Sequence, residues 1–206
     1  MTAATAAVAD REDGRRPRKR LKTMLPILAI TMGDPAGIGP EICVRTLSHK
    51  ETYTKCRPVI VGDAKIISLA IDLLGLGGTL SVNTIGDIAD ARFTHGTVDV
   101  YDLNIIDIDT FRFGEVQHQC GDAAFQYVVK AIDLAMRGEV DGTCTAPINK
   151  EAIHLAGHNF DGHTEIYATY TKTRKYAMLL ADGPLRVIHV STHVSLREAC
   201  DRCKKD

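Results

Sequence analysis

The sequence predicts an α/β protein built on a mainly parallel sheet with helices on its faces. Short apolar runs rich in β-branched residues alternate along the chain with helix-like apolar spacing, and glycine or proline marks many junctions between them. The chain has 206 residues and is 45% hydrophobic and 25% charged, which is ordinary for a globular protein. This length suits one large domain or two small ones.

The first half of the chain alternates strand and helix patterns. Residues 25–31, LPILAIT, form a short β-branched run that is typical of a strand buried on both faces. After a glycine-rich turn, Pro40 stands where the first residue of a helix is expected, since its missing N–H is harmless there. A second strand is predicted at 57–63, a second helix at 64–75 and another strand at 97–103.

The clearest helix pattern covers residues 122–137, where apolar residues follow i, i+3, i+4, i+7 spacing. Asp122 is expected to cap its start and Gly138 to close its end. Residues 140–146 are predicted as a strand, and Pro147 is expected to open a short helix after it.

A hairpin and a final helix are predicted near the end of the chain. Asp182-Gly183-Pro184 separates two apolar runs, which indicates a β-hairpin. Ser195 and Glu198 form an S-x-x-E capping box at the head of a helix. About two turns into this helix the chain stops, so the fold is expected to be truncated at its C-terminus.

Composition and charge exclude several classes of protein. The formal net charge of −1 argues against nucleic-acid binding, which requires a strong basic excess. No apolar run approaches the roughly 18–20 residues that cross a membrane. The six cysteines are scattered and no secretory signal precedes them, which favours buried, reduced thiols in a cytoplasmic protein.

Residues 1–24 are rich in Ala, Arg and Lys and contain almost no large apolar side chains. Such a segment buries too little surface to fold, so we expect a disordered basic leader followed by an α/β portion at 25–206. The basic residues could form an electrostatic arm or an address signal. An upstream start codon ahead of Met24 would also account for the segment.

The turn after the first strand, ITMGDPAGIGPEI at 30–42, raises the question of phosphate binding. Its glycine spacing matches neither the dinucleotide fingerprint nor the P-loop, and its prolines remove two backbone N–H donors. These facts favour a structural strand-to-helix turn. Asp34 is placed at the carboxyl edge of the sheet, where ligands usually bind, and is either a turn-former or a polar contact near a cofactor.

Four stretches of the chain together resemble one family. ITMGDPAGIGPEI is followed by TAPINKEAI (145–153), GHNFDGHTEIYA (157–168) and VIHVSTHVSLRE (187–198). From about residue 25 to about 200, the chain resembles the 4-hydroxythreonine-4-phosphate dehydrogenase family. TAPINKEA and THVSLRE look closest to its 4-phospho-D-threonate 3-dehydrogenase branch.

The resemblance implies a fold like that of isocitrate and isopropylmalate dehydrogenases and a homodimer with its active site between subunits. It also implies an enzyme that uses NAD to oxidise the 3-hydroxyl of a 4-phosphorylated hydroxy acid, whose β-keto product then loses CO₂. A divalent metal (Zn, Mg or Co), held by histidines from both subunits, would assist. A metal on the hydroxyl oxygen acidifies it and stabilises the enolate formed as CO₂ leaves.

Three residues match functional positions of the family. His163 and Thr164 match a substrate-binding His-Thr pair, and His193 matches the first metal-binding histidine. The family's other metal and substrate ligands, with much of its NAD site, belong to a C-terminal half beyond this sequence. The alternative to an active dehydrogenase is therefore a truncated, non-catalytic remnant that at most binds phosphorylated acids.

Simpler interpretations exist for the histidines. Because Asp161-Gly162 is a turn signal, His163 is expected on an exposed loop. His189 lies four residues before His193, roughly 13 Å along a strand, too far to share one ion, and is interpreted as structural. His154 and His158 flank Gly157 at a helix end and are expected to be surface or capping residues.

Two further motifs leave alternatives open. Cys200-x-x-Cys203 could be half of a zinc site, but no second pair follows and the stretch favours a helix. Asn149 and Lys150 follow the predicted strand at 140–146. Lys150 could meet an anionic substrate or simply be a solvated lysine at a helix start.

Overall fold

The computed structural model of the chain describes residues 24–191 and 194–204. The described residues divide into two compact units, one that ends at Thr171 and one that begins at Lys172. The predicted disordered leader lies outside the described residues, except for Met24 at its end. The expected division into a leader at 1–24 and an α/β portion at 25–206 stays a prediction.

The unit that ends at Thr171 is built on a five-stranded sheet in which every described strand pair is parallel. This confirms the predicted fold class. The spatial order is β3-β4-β2-β1-β5. The strands are β1 (Ile27–Thr31), β2 (Arg57–Gly62), β3 (Ser81–Ile85), β4 (Thr97–Asp102) and β5 (Gly142–Thr145).

Helices connect these strands, as parallel pairing requires. They are α1 (Gly39–Ser48), the single turn α2 (Thr52–Lys55), α3 (Ala64–Leu73), α4 (His118–Arg137), α5 (Lys150–Leu155) and α6 (His163–Tyr170), with a 3₁₀ turn at Ile88–Asp90. The main core lies between the central strands and the inner faces of α1, α3 and α4. A second, smaller cluster joins α4 to α6 through Phe125, Val128, Ile132 and Ile166.

The end of α4 was predicted correctly, but its start was not. Gly138 adopts a left-handed φ of 75° and its N–H bonds the carbonyls of Ala135 and Leu134, which confirms the glycine cap. The helix begins at His118, four residues before Asp122. Asp122 therefore lies inside the helix and does not cap it.

Helix α5 also begins later than expected. Asn149 is its N-cap, and the side-chain Oδ1 of Asn149 accepts a bond from the N–H of Ala152 at 3.2 Å. Pro147 instead belongs to the preceding loop, where its carbonyl accepts a bond from the N–H of Asp34. That bond holds Pro147 against the turn that follows β1.

The second unit contains the predicted hairpin and final helix. Strands β6 (Leu179–Asp182) and β7 (Leu185–Ile188) pair antiparallel. Helix α7 (Leu196–Arg202) begins after Ser195, whose Oγ accepts a bond from the N–H of Glu198 at 3.3 Å. Across the described residues, we find no helix with the length and apolar character to span a membrane.

Candidate active site

The carboxyl ends of β1 and β5 meet at the point where the strand order changes direction. From β1 the chain moves toward β2 on one side, whereas β5 is added on the opposite side of β1. In open α/β sheets ligands bind beside such a switch point, outside the carboxyl ends of the strands. The edge formed by β1 and β5 is therefore the place to look for a site.

The turn after β1 packs directly on the loop after β5. The N–H of Ala146 bonds the carbonyl of Thr31 at 3.0 Å, and the N–H of Asp34 bonds that of Pro147 at 2.9 Å. Gly33 has a left-handed φ of 77°, and a Cβ there would lie 2.3 Å from the Pro147 oxygen. These contacts support a structural role for this turn, since its backbone groups and glycines serve close packing within the protein.

Asp34 stabilises the same turn through its side chain. Its Oδ1 accepts a bond from the N–H of Ala36 at 2.9 Å, and the residue is buried. Burial raises the pKa of Asp34, and the bond from Ala36 counters part of that rise. Of the two interpretations of Asp34, the geometry favours the turn-former.

His163 is the first residue of α6, so the expectation that it sits on an exposed loop was wrong. The residue is half-buried, and its Nε2 is shielded from solvent without a hydrogen-bond partner in the described structure. Desolvation lowers the pKa of this imidazole, which favours the neutral form near neutral pH. A neutral, unpartnered ring nitrogen is available to bond a ligand. Thr164, the next residue, is half-buried in the first turn of the same helix.

Two further shielded atoms lack a partner in the described residues, Thr31 Oγ1 and Glu41 Oε2. Thr31 is the last residue of β1 and is fully buried, and Glu41 lies in the first turn of α1. Both elements flank the turn at 32–38. Buried polar groups normally have a partner, so these atoms are additional candidates for ligand contacts. Nothing in the sequence distinguished them.

Helix α6 is anchored to the sheet beside this edge. The Tyr167 hydroxyl donates to Thr143 Oγ1 of β5 at 2.7 Å. Tyr167 lies four residues after His163, so both occupy one face of the helix. Through Tyr167 the structure brings α6, the helix that begins with His163, to β5, a proximity that the spacing of the motifs did not reveal.

The positions of the other residues singled out from the sequence say less about function. Lys150 is exposed at the start of α5, which leaves both of its interpretations open. His189 is exposed just after β7. Cys200 lies in α7 and Cys203 caps it, which agrees with a helix in place of a zinc knuckle. His193, the predicted metal ligand, lies outside the described residues.

The cysteines are free thiols, as expected, but only half of them are buried. Cys43, Cys56 and Cys120 are buried, whereas Cys144, Cys200 and Cys203 are exposed.

Within residues 24–191 and 194–204, no group of three or more His, Cys, Asp or Glu side chains could hold a metal ion. The described residues therefore do not form a metal site by themselves.

A separate open cavity of about 480 Å³ lies along the outer face of α4. It is mainly apolar, and its lysine, Lys130, places its ammonium 5.4 Å from the centre of the Tyr101 ring. The cavity contains neither His163 nor the turn after β1. Its lining suits neither a phosphate nor a carboxylate, so we do not assign it to the site.

Solved structures define the class of protein. The 4-hydroxythreonine-4-phosphate dehydrogenase from Burkholderia phymatum matches with a TM-score of 0.79 and 43% identity over 85% of this chain and 52% of its own. That from Klebsiella pneumoniae matches with a TM-score of 0.78 and 42% identity over 88% and 54%. The fold is that of an α/β dehydrogenase.

The sequence comparison is more specific. Residues 54–206 match the family model described as pyridoxal phosphate biosynthetic protein PdxA, and the chain belongs to this family. The D-threonate 4-phosphate dehydrogenase of Cupriavidus necator is 43% identical over 175 residues, which cover 85% of this chain and 52% of that protein. The chain thus spans about half the length of the relatives it matches.

Proposed function

We propose that this chain takes part in the NAD-dependent, divalent-metal-assisted oxidation and decarboxylation of a 4-phosphorylated 3-hydroxy acid. Membership of the PdxA family supports the reaction class. The name of the Cupriavidus necator relative favours 4-phospho-D-threonate over 4-phosphohydroxy-L-threonine. The proposed setting is the cytoplasm, in a homodimer with its active site shared between subunits.

The observation that carries the proposal is the shielded Nε2 of His163. An unpartnered polar atom in a protein interior is unfavourable by about 1–3 kcal/mol, so it is expected where a ligand completes the bond. As a neutral imidazole, His163 can donate to or accept from a substrate oxygen at Nε2. Thr164 adds a hydroxyl in the same helical turn. We assign both residues to substrate binding.

The metal and NAD in this proposal are supported by family membership alone. His193 is the proposed metal ligand, and the described residues contain no group of three or more His, Cys, Asp or Glu side chains that could hold a metal ion. The part assigned to the described chain is to bind and orient the phosphorylated acid at the β1–β5 edge.

The test measures NADH formation with each of the two phosphorylated acids, with Mg²⁺, Zn²⁺ or Co²⁺ added. Turnover is expected to fall by roughly 100-fold in His163→Ala, in the range of losing a well-placed polar catalytic contact. His95 bonds the carbonyl of Ser48 and serves as the matched control in His95→Ala. Absence of turnover under every condition, with or without binding of either acid, would refute the active dehydrogenase for this chain and support the non-catalytic alternative.

A further inference from the structure

The body of α6 is held by two contacts that set its rotation. Ile166 is fully buried in the small cluster on α4, and the Tyr167 hydroxyl bonds Thr143 of β5. Both residues lie in the middle of the helix. These contacts determine which face of α6 points to the sheet, but they do not by themselves hold its first residue, His163.

The N-terminal end of α6 lacks a side-chain cap. Gly162 is the N-cap residue and offers no side chain to the first-turn N–H groups. The helix has only eight residues, and helices this short are marginal without outside support. The placement of His163 therefore depends on the segment before it, residues 156–162.

His158 fastens this segment to α4. Its ring stacks on Phe125 with 3.8 Å between centroids and 14° between planes. Its Nε2 lies 2.8 Å from Oδ1 of Asp122, which accepts the bond. Asp122 and Phe125 are three residues apart and share one face of α4, so the imidazole is held by a stack and a hydrogen bond at once. The His158 and Asp122 side chains are 23% and 30% exposed, so the contact is partly shielded from water.

Neighbouring contacts stiffen this arrangement. Gln126 Nε2 donates to the second oxygen of Asp122 at 2.6 Å, so both carboxylate oxygens are engaged. The Phe160 ring lies 5.5 Å from Phe125, and Nε2 of His154 lies 3.0 Å from the Phe160 carbonyl. The segment is therefore closed onto the same face of α4 at two points, His158 and Phe160.

We propose that His158 and Asp122 are positioning residues that hold segment 156–162, so that His163 presents its Nε2 to the phosphorylated acid in one orientation. The proposal rests on the function proposed for His163. Neither residue touches the ligand in this scheme, and both act through the entry to α6. Without the bond, the segment is released at His158 and the imidazole of His163 samples several orientations.

The test compares four variants of the full chain, two that break the His158–Asp122 bond, one that keeps it and one control elsewhere. His158→Phe keeps a ring on Phe125 but loses the bond to Asp122, and Asp122→Ala removes the acceptor. The matched control is His95→Phe, because the ring of His95 packs against Tyr53 and its Nε2 lies 2.9 Å from the Ser48 carbonyl, remote in sequence from α6. The measurements are ¹H–¹⁵N spectra of the His163 imidazole and the Kd for 4-phospho-D-threonate.

We expect His158→Phe and Asp122→Ala to broaden or split the His163 imidazole signals and to raise the Kd by about tenfold, which corresponds to ~1.4 kcal/mol. The control, His95→Phe, is expected to leave the His163 signals and the Kd unchanged. Asp122→Asn retains an oxygen acceptor for His158 and should keep much of the affinity. If Asp122→Ala does not fold, His158→Phe tests the same bond from the other side.

Unchanged His163 signals in folded His158→Phe, or in folded Asp122→Ala, would overturn the positioning role, whatever happens to global stability. A wild-type chain that fails to bind 4-phospho-D-threonate would contradict the proposed function instead. In that case the imidazole spectra still decide whether His158 and Asp122 orient His163.

Discussion

Single polar atoms without a partner define the candidate site at the residue scale. Nε2 of His163, Oγ1 of Thr31 and Oε2 of Glu41 are all shielded from water and unpartnered in the described structure. Each such atom lowers stability unless something completes its hydrogen bond. By contrast, Asp63, Asp99 and Tyr127 are buried residues whose side chains bond other groups of the protein.

Desolvation of His163 predicts a specific pH dependence of stability. Its pKa lies below the ordinary value of about 6.5, so the unfolded state binds a proton more readily than the folded state does. The chain should lose stability as the pH falls from about 6.5 through the lowered pKa. We expect His163→Gln, which cannot be protonated, to lose less stability between pH 7 and pH 5 in urea unfolding. Parallel pH profiles for the two proteins would contradict this expectation.

The hydrogen bond between the buried side chains of Tyr127 and Asp63 leads to a prediction for Tyr127→Phe. This substitution removes the hydroxyl but keeps the ring, so it should lower stability without a change in packing. The Tyr127 hydroxyl donates to Oδ2 of Asp63 at 2.5 Å, and the only other bond to this carboxylate among the described residues comes from the N–H of Ile106 at 3.2 Å. Burial, with the nearby Asp63 charge, raises the pKa of Tyr127, so it remains a donor. Tyr127→Phe should lower the free energy of unfolding by about 1–3 kcal/mol.

Tyr53→Phe provides the comparison for that measurement. The Tyr53 hydroxyl donates to the neutral carbonyl of Thr97 at 3.1 Å in a half-buried setting. Its loss is expected to lower the free energy of unfolding by about 0.5–1.5 kcal/mol. Chemical denaturation at pH 7 measures both, and an equal loss in the two variants would argue against a special role for the buried carboxylate.

At the scale of the elements, helices pack closely where a glycine lies against the backbone of another segment. Gly121 in α4 faces the backbone of Ala152 in α5, and Gly39 at the head of α1 faces the carbonyl of Met32. A side chain at either position would meet main-chain atoms, which cannot rotate away. The docking of α5 on α4, and with it the start of segment 156–162, therefore depends on a missing Cβ.

Gly121→Ala tests this contact. The added Cβ would lie 1.9 Å from the Ala152 oxygen, so the two helices would have to separate. We expect a loss of about 2 kcal/mol or more in the free energy of unfolding, despite the better helix propensity of alanine. Gly78→Ala adds a Cβ in open space and should stay within about 0.5 kcal/mol. A neutral result for Gly121→Ala would show that α5 can shift freely.

At the scale of the whole molecule, the two units differ in how much of their apolar surface is buried. Val59, Ile60 and Val61 of β2 are fully buried in the sheet. In the second unit every residue of β7 is exposed, including Leu185 and Ile188. A lone two-stranded hairpin of this kind is only marginally stable in water.

Hydrogen exchange should therefore separate the two units. Amides of β1, β2 and β4 are expected to exchange only through global unfolding, at about 5–15 kcal/mol for a typical domain. Amides of β6 and β7 are expected to exchange orders of magnitude faster, through local opening. Mass spectrometry of the exchanged peptides measures both, and equal protection of β2 and β7 would refute the prediction.

Local patterns predicted the elements whose side chains meet the main core. The apolar runs of β1, β2 and β4 and the helical spacing of α4 were all identified from the sequence. The edge strand β3, SVNTI, was missed because only Ile85 is buried and no clear alternation results. Helix α6 was missed because a single residue, Ile166, is buried and a turn signal precedes it.

The sequence by itself determined the parallel α/β class and the family, because apolar periodicity and contiguous motifs are properties of neighbouring residues. Only the tertiary structure decided that His163 is shielded with its Nε2 unpartnered and that His158 pairs with Asp122, 36 positions away. Burial and hydrogen bonding depend on which distant segments pack together, and the pattern of one segment does not specify its partners.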